Sequence, residues 1–166
     1  MDREELQALQ VPLKERYRAE PEAALVTLRA EGRLDGANIA CSVDTGRALV
    51  EAGLHPATGG TGLLACSGDM LLEALVACAG VTLRSVATSL EIPVTGTVRA
   101  EGDLDFRGTL AVDRETPVGF IAIRLSFDLE SDAGEEQLET LLRLTHRYCV
   151  VLQTLLGGVP VEVSSG

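Results

Sequence analysis

The chain's 166 residues include four cysteines, Cys41, Cys66, Cys78 and Cys149, separated by 25, 12 and 71 positions, and no two stand in C-x-x-C spacing. Structural zinc sites repeat cysteine and histidine at short intervals, and two isolated histidines, His55 and His146, do not complete one. No metal and no other cofactor is expected. In a reducing compartment structural disulfides are not expected either. Two readings remain for each thiol. One is packing as a small apolar side chain; the other is redox chemistry, in which the thiolate is the nucleophile.

The surroundings of Cys78 and Cys149 set them apart. "EALVACAGVT", residues 73–82, places Cys78 inside a run that should coil into a helix. Its face reads Leu71, Ala74, Leu75, Cys78, Val81, Thr82, Ser85 and Ser89, passing from large apolar groups to small hydroxyls that allow another helix to approach. In "EEQLETLLRLTHRYCVVLQTLL", positions 138, 141, 142, 145, 149, 152 and 156 fall on one helical face, so Cys149 also points inward. A domain of this size has few places for two buried helices except against each other, which makes a Cys78–Cys149 contact one reading and two separate packing cysteines the other.

The elements that must position these residues follow from the hydrophobic pattern. Residues 1–22 read as an N-terminal arm, partly helical, with Leu6, Leu9, Leu13 and Tyr17 at helical intervals and Pro12 interrupting; the domain proper is 23–166. Strands are expected at 23–29, 37–43 and 47–52, with turns at "LDG" and "DTG". A glycine-rich connection at 55–68 leads to a helix from about Ser67 to Glu91, with Ser67 as N-cap, Asp69 at the positive end of the dipole and Pro93 beyond the end. Its apolar residues point almost all round, so burial on every side is expected. Strands follow at 95–101, 108–113 and 120–130. The last alternates Ile121, Ile123, Leu125, Phe127 and Leu129 with Ala122, Arg124, Ser126, Asp128 and Glu130. A second long helix at 134–156 and a final strand "VPVEV" complete an α+β order with antiparallel sheet packed on two long helices.

Composition narrows the partners. Fourteen basic against twenty-five acidic residues give a net charge of -11, which repels nucleic acid and anionic lipid surfaces. Three Phe, two Tyr and no Trp leave no stacking platform for bases. Asp69, Glu73 and Arg84 interrupt the most apolar stretch, and the N-terminus is acidic where a secretory signal would be basic, so a cytoplasmic protein with no membrane partner is expected.

Three stretches in order resemble the OsmC/Ohr family of osmotically inducible and organic-hydroperoxide-resistance proteins. They are "EGRLDGANIACSVDTGRALVEAGLHPATGG", "CSGDMLLEALVACAGVTLRSVA" and "RYCVVLQTL", and the resemblance spans about residues 23–163. It implies an intertwined homodimer and reduction of organic hydroperoxides by a cysteine pair. Cys78 would be the reactive thiol and Cys149 the resolving one, with Arg33 as the functional arginine and an external dithiol of lipoyl type as reductant.

A free thiol at about 8.5 is only a few per cent thiolate at neutral pH. Lowering it to about 5.5 requires about 4 kcal/mol of preference for the anion. Cys78 lies beyond the first turn of its own helix, so that dipole does not reach it, and Arg33 is the candidate cation. Two positions depart from the family pattern. The arginine-orienting glutamate falls on Gly68, leaving Asp69 next along either as its substitute or as an ordinary helix-dipole residue. The proline after the second cysteine is Val150, so the helix is expected to run on through Cys149. The rival reading is a member of the same fold without peroxidase turnover, a binding module for an apolar small ligand, which Gly68 favours.

Overall fold

A computed structural model describes residues 2–5, 8, 10, 11, 19, 31–34, 40–44, 49–111 and 113–165, the side chains of 31–34 and 40–44 excepted. The backbone forms two compact units: Met1–Glu15 with Ala74–Arg99 and Leu125–Gly166, and Arg16–Glu73 with Ala100–Arg124. The expected strand at 23–29, the boundary near residue 22 and the turns at 35–39 and 45–48 lie outside the described residues, as do Leu6, Leu9, Pro12, Leu13 and Tyr17 of the arm. Residues 3–5, 8, 10 and 11 are helical.

In the unit containing residues 16–73, β1 (Glu31–Leu34), β2 (Ala40–Asp44) and β3 (Leu49–Gly53) form an antiparallel meander. Arg33 pairs with Ser42, and Cys41 pairs with Ala52. A short β4 (Ala65–Cys66) joins β3 in parallel, Gly53 opposite Cys66. Between β3 and β4 the "GGTG" segment makes a turn: the Gly60 N–H donates to the His55 carbonyl at 3.1 Å, and a Cβ on Gly60 would lie 1.7 Å from the Leu54 oxygen. Only glycine fits there.

The long helix α1 (Ser67–Leu90) forms as the sequence predicts, with Asp69 in its first turn. It ends in a Schellman turn: the Ile92 N–H reaches the Ala87 carbonyl at 2.9 Å and Glu91 takes φ 56. Pro93 prevents continuation. Burial differs from expectation. Leu75, Ala79, Leu83 and Ala87 form one buried stripe at intervals of four, whereas Val81 is 72% exposed and Leu71 and Leu90 are exposed too. Within a single chain, then, α1 is covered along one face only. By length and composition it is apolar enough to cross a membrane despite its three charges; its buried stripe is that of a core helix.

The core of the unit containing Ala74–Arg99 is Leu83, Ala87, Ile92, Val94 and Leu141, with Val86, Phe127, Leu129, Ala133 and Leu138 packed around it. β5 (Thr95–Leu104) is longer than expected and pairs with β6 (Phe120–Glu130), whose bounds match the predicted strand. Alternation holds along β6 from Ile123 onward, but Ile121 is exposed. The expected strand at 108–113 is replaced by a short helix α2 (Phe106–Thr109) and a turn. Asp105 causes this: its carboxylate accepts the Arg107 N–H at 3.0 Å and holds the Arg107 guanidinium, which caps a helix start.

The second long helix is divided into α3 (Glu135–Tyr148) and α4 (Val150–Gly157) by Cys149, which is extended at φ -73, ψ 105. The expected unbroken helix at 134–156 is therefore corrected, and so is its single face. Leu141, Thr145 and Cys149 are buried, but Leu142 and Leu156 are exposed. "VPVEV" forms no pairing among the described residues, and Val159, Val161 and Val163 are exposed.

Leu141 is wholly buried at the centre of this core. Leu141→Ala is expected to destabilise the fold by about 2–5 kcal/mol, read from the urea midpoint, with the exposed Leu142→Ala changing it by less than about 1 kcal/mol.

Candidate active site

The break at Cys149 redistributes backbone hydrogen bonds. The Cys149 N–H still reaches the Thr145 carbonyl at 3.0 Å, so α3 is regular up to that point. At α4 the helix starts again, and its first N–H groups lack partners within the helix. Those of Val150 and Val151 lie beside the sulfur of Cys78, which α1 carries, and act to lower its pKa. Cys149, at the junction, is wholly buried, and its thiol is close enough to Cys78 for each to shift the other's pKa. The two thiols that stand 71 positions apart in the chain are thus neighbours, and both are free.

The electrostatics of the two sulfurs diverge. Burial pushes the Cys78 thiol up, but the Val151 N–H, the Cys149 side chain, the Val150 N–H and the Thr82 hydroxyl together hold it below the ordinary thiol value. Cys149 moves the other way. Burial is the largest cause; the Leu152 and Val151 N–H groups oppose it, while the hydrogen bond to Cys78 and the repulsion of its charge add to it. Cys78 is the more acidic thiol of the pair, and Cys149 the one that keeps its proton to higher pH. The requirement for a nearby cation is thereby eased: the start of α4 brings positive dipole and two donors to a sulfur that its own helix dipole does not reach.

Of the other expected site residues, Arg33 lies on β1, and its side chain is outside the described residues. Asp69 is exposed in the first turn of α1 and lines a cavity of about 350 Å³ with His55, Cys66, Gly68, Phe106 and Phe120. Gly68 is on the cavity wall, where a Cβ would make ordinary contacts with Phe120 at 3.5 Å, Cys66 Sγ at 3.6 Å and Leu104 at 3.7 Å. The Phe120 ring in turn lies so close over Gly102 that a Cβ at 102 would stand 2.3 Å from it. On the rim, His55 stacks on Phe106 with centroids 4.9 Å apart, and its Nδ1 accepts the Ala57 N–H at 3.0 Å, which puts the proton of the neutral ring on Nε2. Asp103 is engaged by the Arg124 guanidinium, which holds its carboxyl below the usual range.

Two contributors to the sulfur site were not legible as site residues. Thr82 stands four positions after Cys78, a spacing that stacks side chains on a helix, and the sequence marks it only as small. The Val150 and Val151 donors are main-chain groups with no side-chain signature at all.

The pH profile follows from these directions. A lowered folded-state value leaves Cys78 ionised at a pH where an ordinary thiol is protonated, and its stabilisation of the fold is lost as pH falls through that value. Iodoacetamide labelling resolved by peptide is expected to modify Cys78 with a midpoint below that of an unperturbed thiol, and Cys149 only at higher pH. Thr82→Val removes a donor to the sulfur and is expected to raise the Cys78 midpoint.

A family model described as OsmC-like protein matches residues 60–164, more than half of the chain. No curated protein matches the sequence. Among solved structures, an OsmC like protein from Mycoplasma pneumoniae superposes with a TM-score of 0.66 at 15% identity, covering 80% of this chain and 89% of that one. An organic hydroperoxide resistance protein OsmC from Legionella pneumophila gives 0.59 at 18% identity, covering 81% and 92%. An organic hydroperoxide resistance protein from Elizabethkingia anophelis gives 0.60 at 20%, covering 81% and 91%. At these identities the superpositions establish the fold, antiparallel sheet with two long helical segments. With the family model matched across α1, the Cys149 junction and α4, the chain belongs to the OsmC-like family.

Proposed function

We propose that this protein reduces organic hydroperoxides with Cys78 as the peroxidatic thiolate and Cys149 as the resolving thiol. The observation that carries the reading is the meeting of the two sulfurs at the start of α4, with the Val150 and Val151 N–H groups and the Thr82 hydroxyl on Cys78. Thiolate, donor set and partner thiol are what a cysteine peroxidase requires. The names of the similar Legionella and Elizabethkingia structures point to the same substrate class.

The Cys78 thiolate attacks the terminal peroxide oxygen, the O–O bond breaks, and the alkoxide takes a proton and leaves as alcohol. Cys78 is left as sulfenic acid, oxidised by two electrons. The Cys149 thiol attacks that sulfur, water departs, and a Cys78–Cys149 disulfide forms. An external dithiol, of the lipoyl type on the family resemblance, reduces the disulfide and is itself oxidised. The apolar residues along both helices favour an alkyl or aryl peroxide over hydrogen peroxide, since each buried methylene contributes about 0.8 kcal/mol. Arg33 is the cation proposed to stabilise the thiolate and the departing alkoxide, with Asp69 orienting it in place of the glutamate position taken by Gly68.

The proposal includes a homodimer. Val81 on α1, Val150 and Leu156 on α4, and Val159, Val161 and Val163 in the tail are all more than half exposed in a single chain, a set of apolar groups that a second copy would cover. The reducing cytoplasm is the proposed setting, since the cycle returns both cysteines to free thiols. Gly68 favours the rival reading, an apolar-ligand module without turnover, and one assay separates the two. With cumene hydroperoxide and a lipoyl dithiol, Cys78→Ser is expected to lower turnover by at least about a thousandfold. Cys149→Ser is expected to consume one equivalent of peroxide and stop at the sulfenic acid. Turnover that survives Cys78→Ser, or no turnover by the native chain, overturns the peroxidase reading.

A further inference from the structure

In an unbroken helix the Val150 N–H would donate to the His146 carbonyl four residues back. Here Cys149 is extended at φ -73, ψ 105, the Val150 N–H is among the groups that act on Cys78, and the His146 carbonyl receives instead the side-chain amide of Gln153, whose Nε2 stands 2.8 Å away. Gln153 belongs to α4, with its own N–H on the Cys149 carbonyl at 2.9 Å. One residue of α4 therefore grips both sides of the break, the junction carbonyl through its main chain and the last turn of α3 through its side chain. No proline imposes the break, because position 150 is valine and keeps its N–H.

We propose that Gln153 is a positioning residue that holds the α3–α4 break open by taking the place of the Val150 N–H at His146, and so keeps the Val150 and Val151 donors on Cys78. This rests on the reading of Cys78 as the working thiolate. Without the amide, the His146 carbonyl competes for the Val150 N–H, and closing that bond carries the helix on through Cys149. The donors then leave the sulfur. Gln153 is exposed, so replacing it opens no cavity in the core.

The test uses the full chain and reads the pH midpoint of Cys78 alkylation by iodoacetamide, resolved by peptide mass spectrometry, beside cumene hydroperoxide turnover. Gln153→Met keeps the length of the side chain and removes the donor; it is expected to raise the Cys78 midpoint by about one pH unit, a tenfold loss of thiolate at neutral pH. Adding Val150→Pro to that variant imposes the break by another route. Proline suits the first position of a helix and confines its predecessor to extended backbone, which Cys149 already has at φ -73, ψ 105. The double variant keeps the Val151 donor, the stronger of the two on Cys78, and is expected to return the midpoint most of the way to the native value. A native midpoint in Gln153→Met, or a double variant as high as Gln153→Met, overturns the positioning role. The midpoint is measured without peroxide, so failure of the peroxidase reading would appear separately, as turnover that does not depend on Cys78.

Discussion

A helix that stops inside a protein leaves its neighbours' N–H and C=O groups without partners, and each such group must be satisfied or it destabilises the fold. At Cys149 this constraint is met by exchange. The N–H groups released at the start of α4 lie beside the sulfur of Cys78, and the released carbonyl of His146 takes the Gln153 amide. A sulfur that gains two amide donors favours its anion, and a helix start that gains an anionic acceptor is stabilised by its own dipole. Each of the two solves the other's problem. The acidity of Cys78 and the geometry of the break are therefore linked.

That feature sits on a regular scaffold. Thr145, buried one turn before Cys149, returns its hydroxyl to the Leu141 carbonyl at 2.8 Å and so needs no partner across the core. Leu141 anchors the same face of α3 in the cluster around Leu83 and Ala87. Cys78 lies between the buried Leu75 and Ala79 on one side and the exposed Val81 on the other, near the edge of the covered stripe of α1. This is where a thiol can be partly desolvated and still be reached. Cys149, wholly buried, suits internal exchange with Cys78 rather than direct contact with bulk solvent.

Phe120 at the start of β6 lies so close over Gly102 that only glycine fits there, and its ring reaches Gly68 at ordinary contact distance. Gly68 and Asp69 both line the cavity, so the carboxylate next to the glycine faces the same space. Across β5 and β6, Arg124 with Asp103 and Glu101, and Arg99 with Asp128, add exposed cross-strand ion pairs. Such pairs fix register more than they add stability.

Periodicity alone located α1, β6 and the inward direction of Cys149, because these depend on patterns of 3.6 and 2 that any core must satisfy. The α+β class was legible in the order of the elements, whereas spacing alone left the contact of Cys78 with Cys149 as one of two readings, and their roles came from the family resemblance. The strand expected at 108–113 was not realised, because capping by Asp105 is a local hydrogen bond that outweighs β propensity. The break at Cys149 was also hidden: "YCVVLQTL" contains no helix breaker, and the signal lies in which acceptor each N–H finds once Cys78 is beside it. What the chain determined by itself is which faces are apolar and which atoms can react. Only the tertiary structure decided which thiol is the more acidic, since a thiol's preference for its anion is set by groups brought from another helix, and main-chain donors leave no mark in an amino-acid sequence.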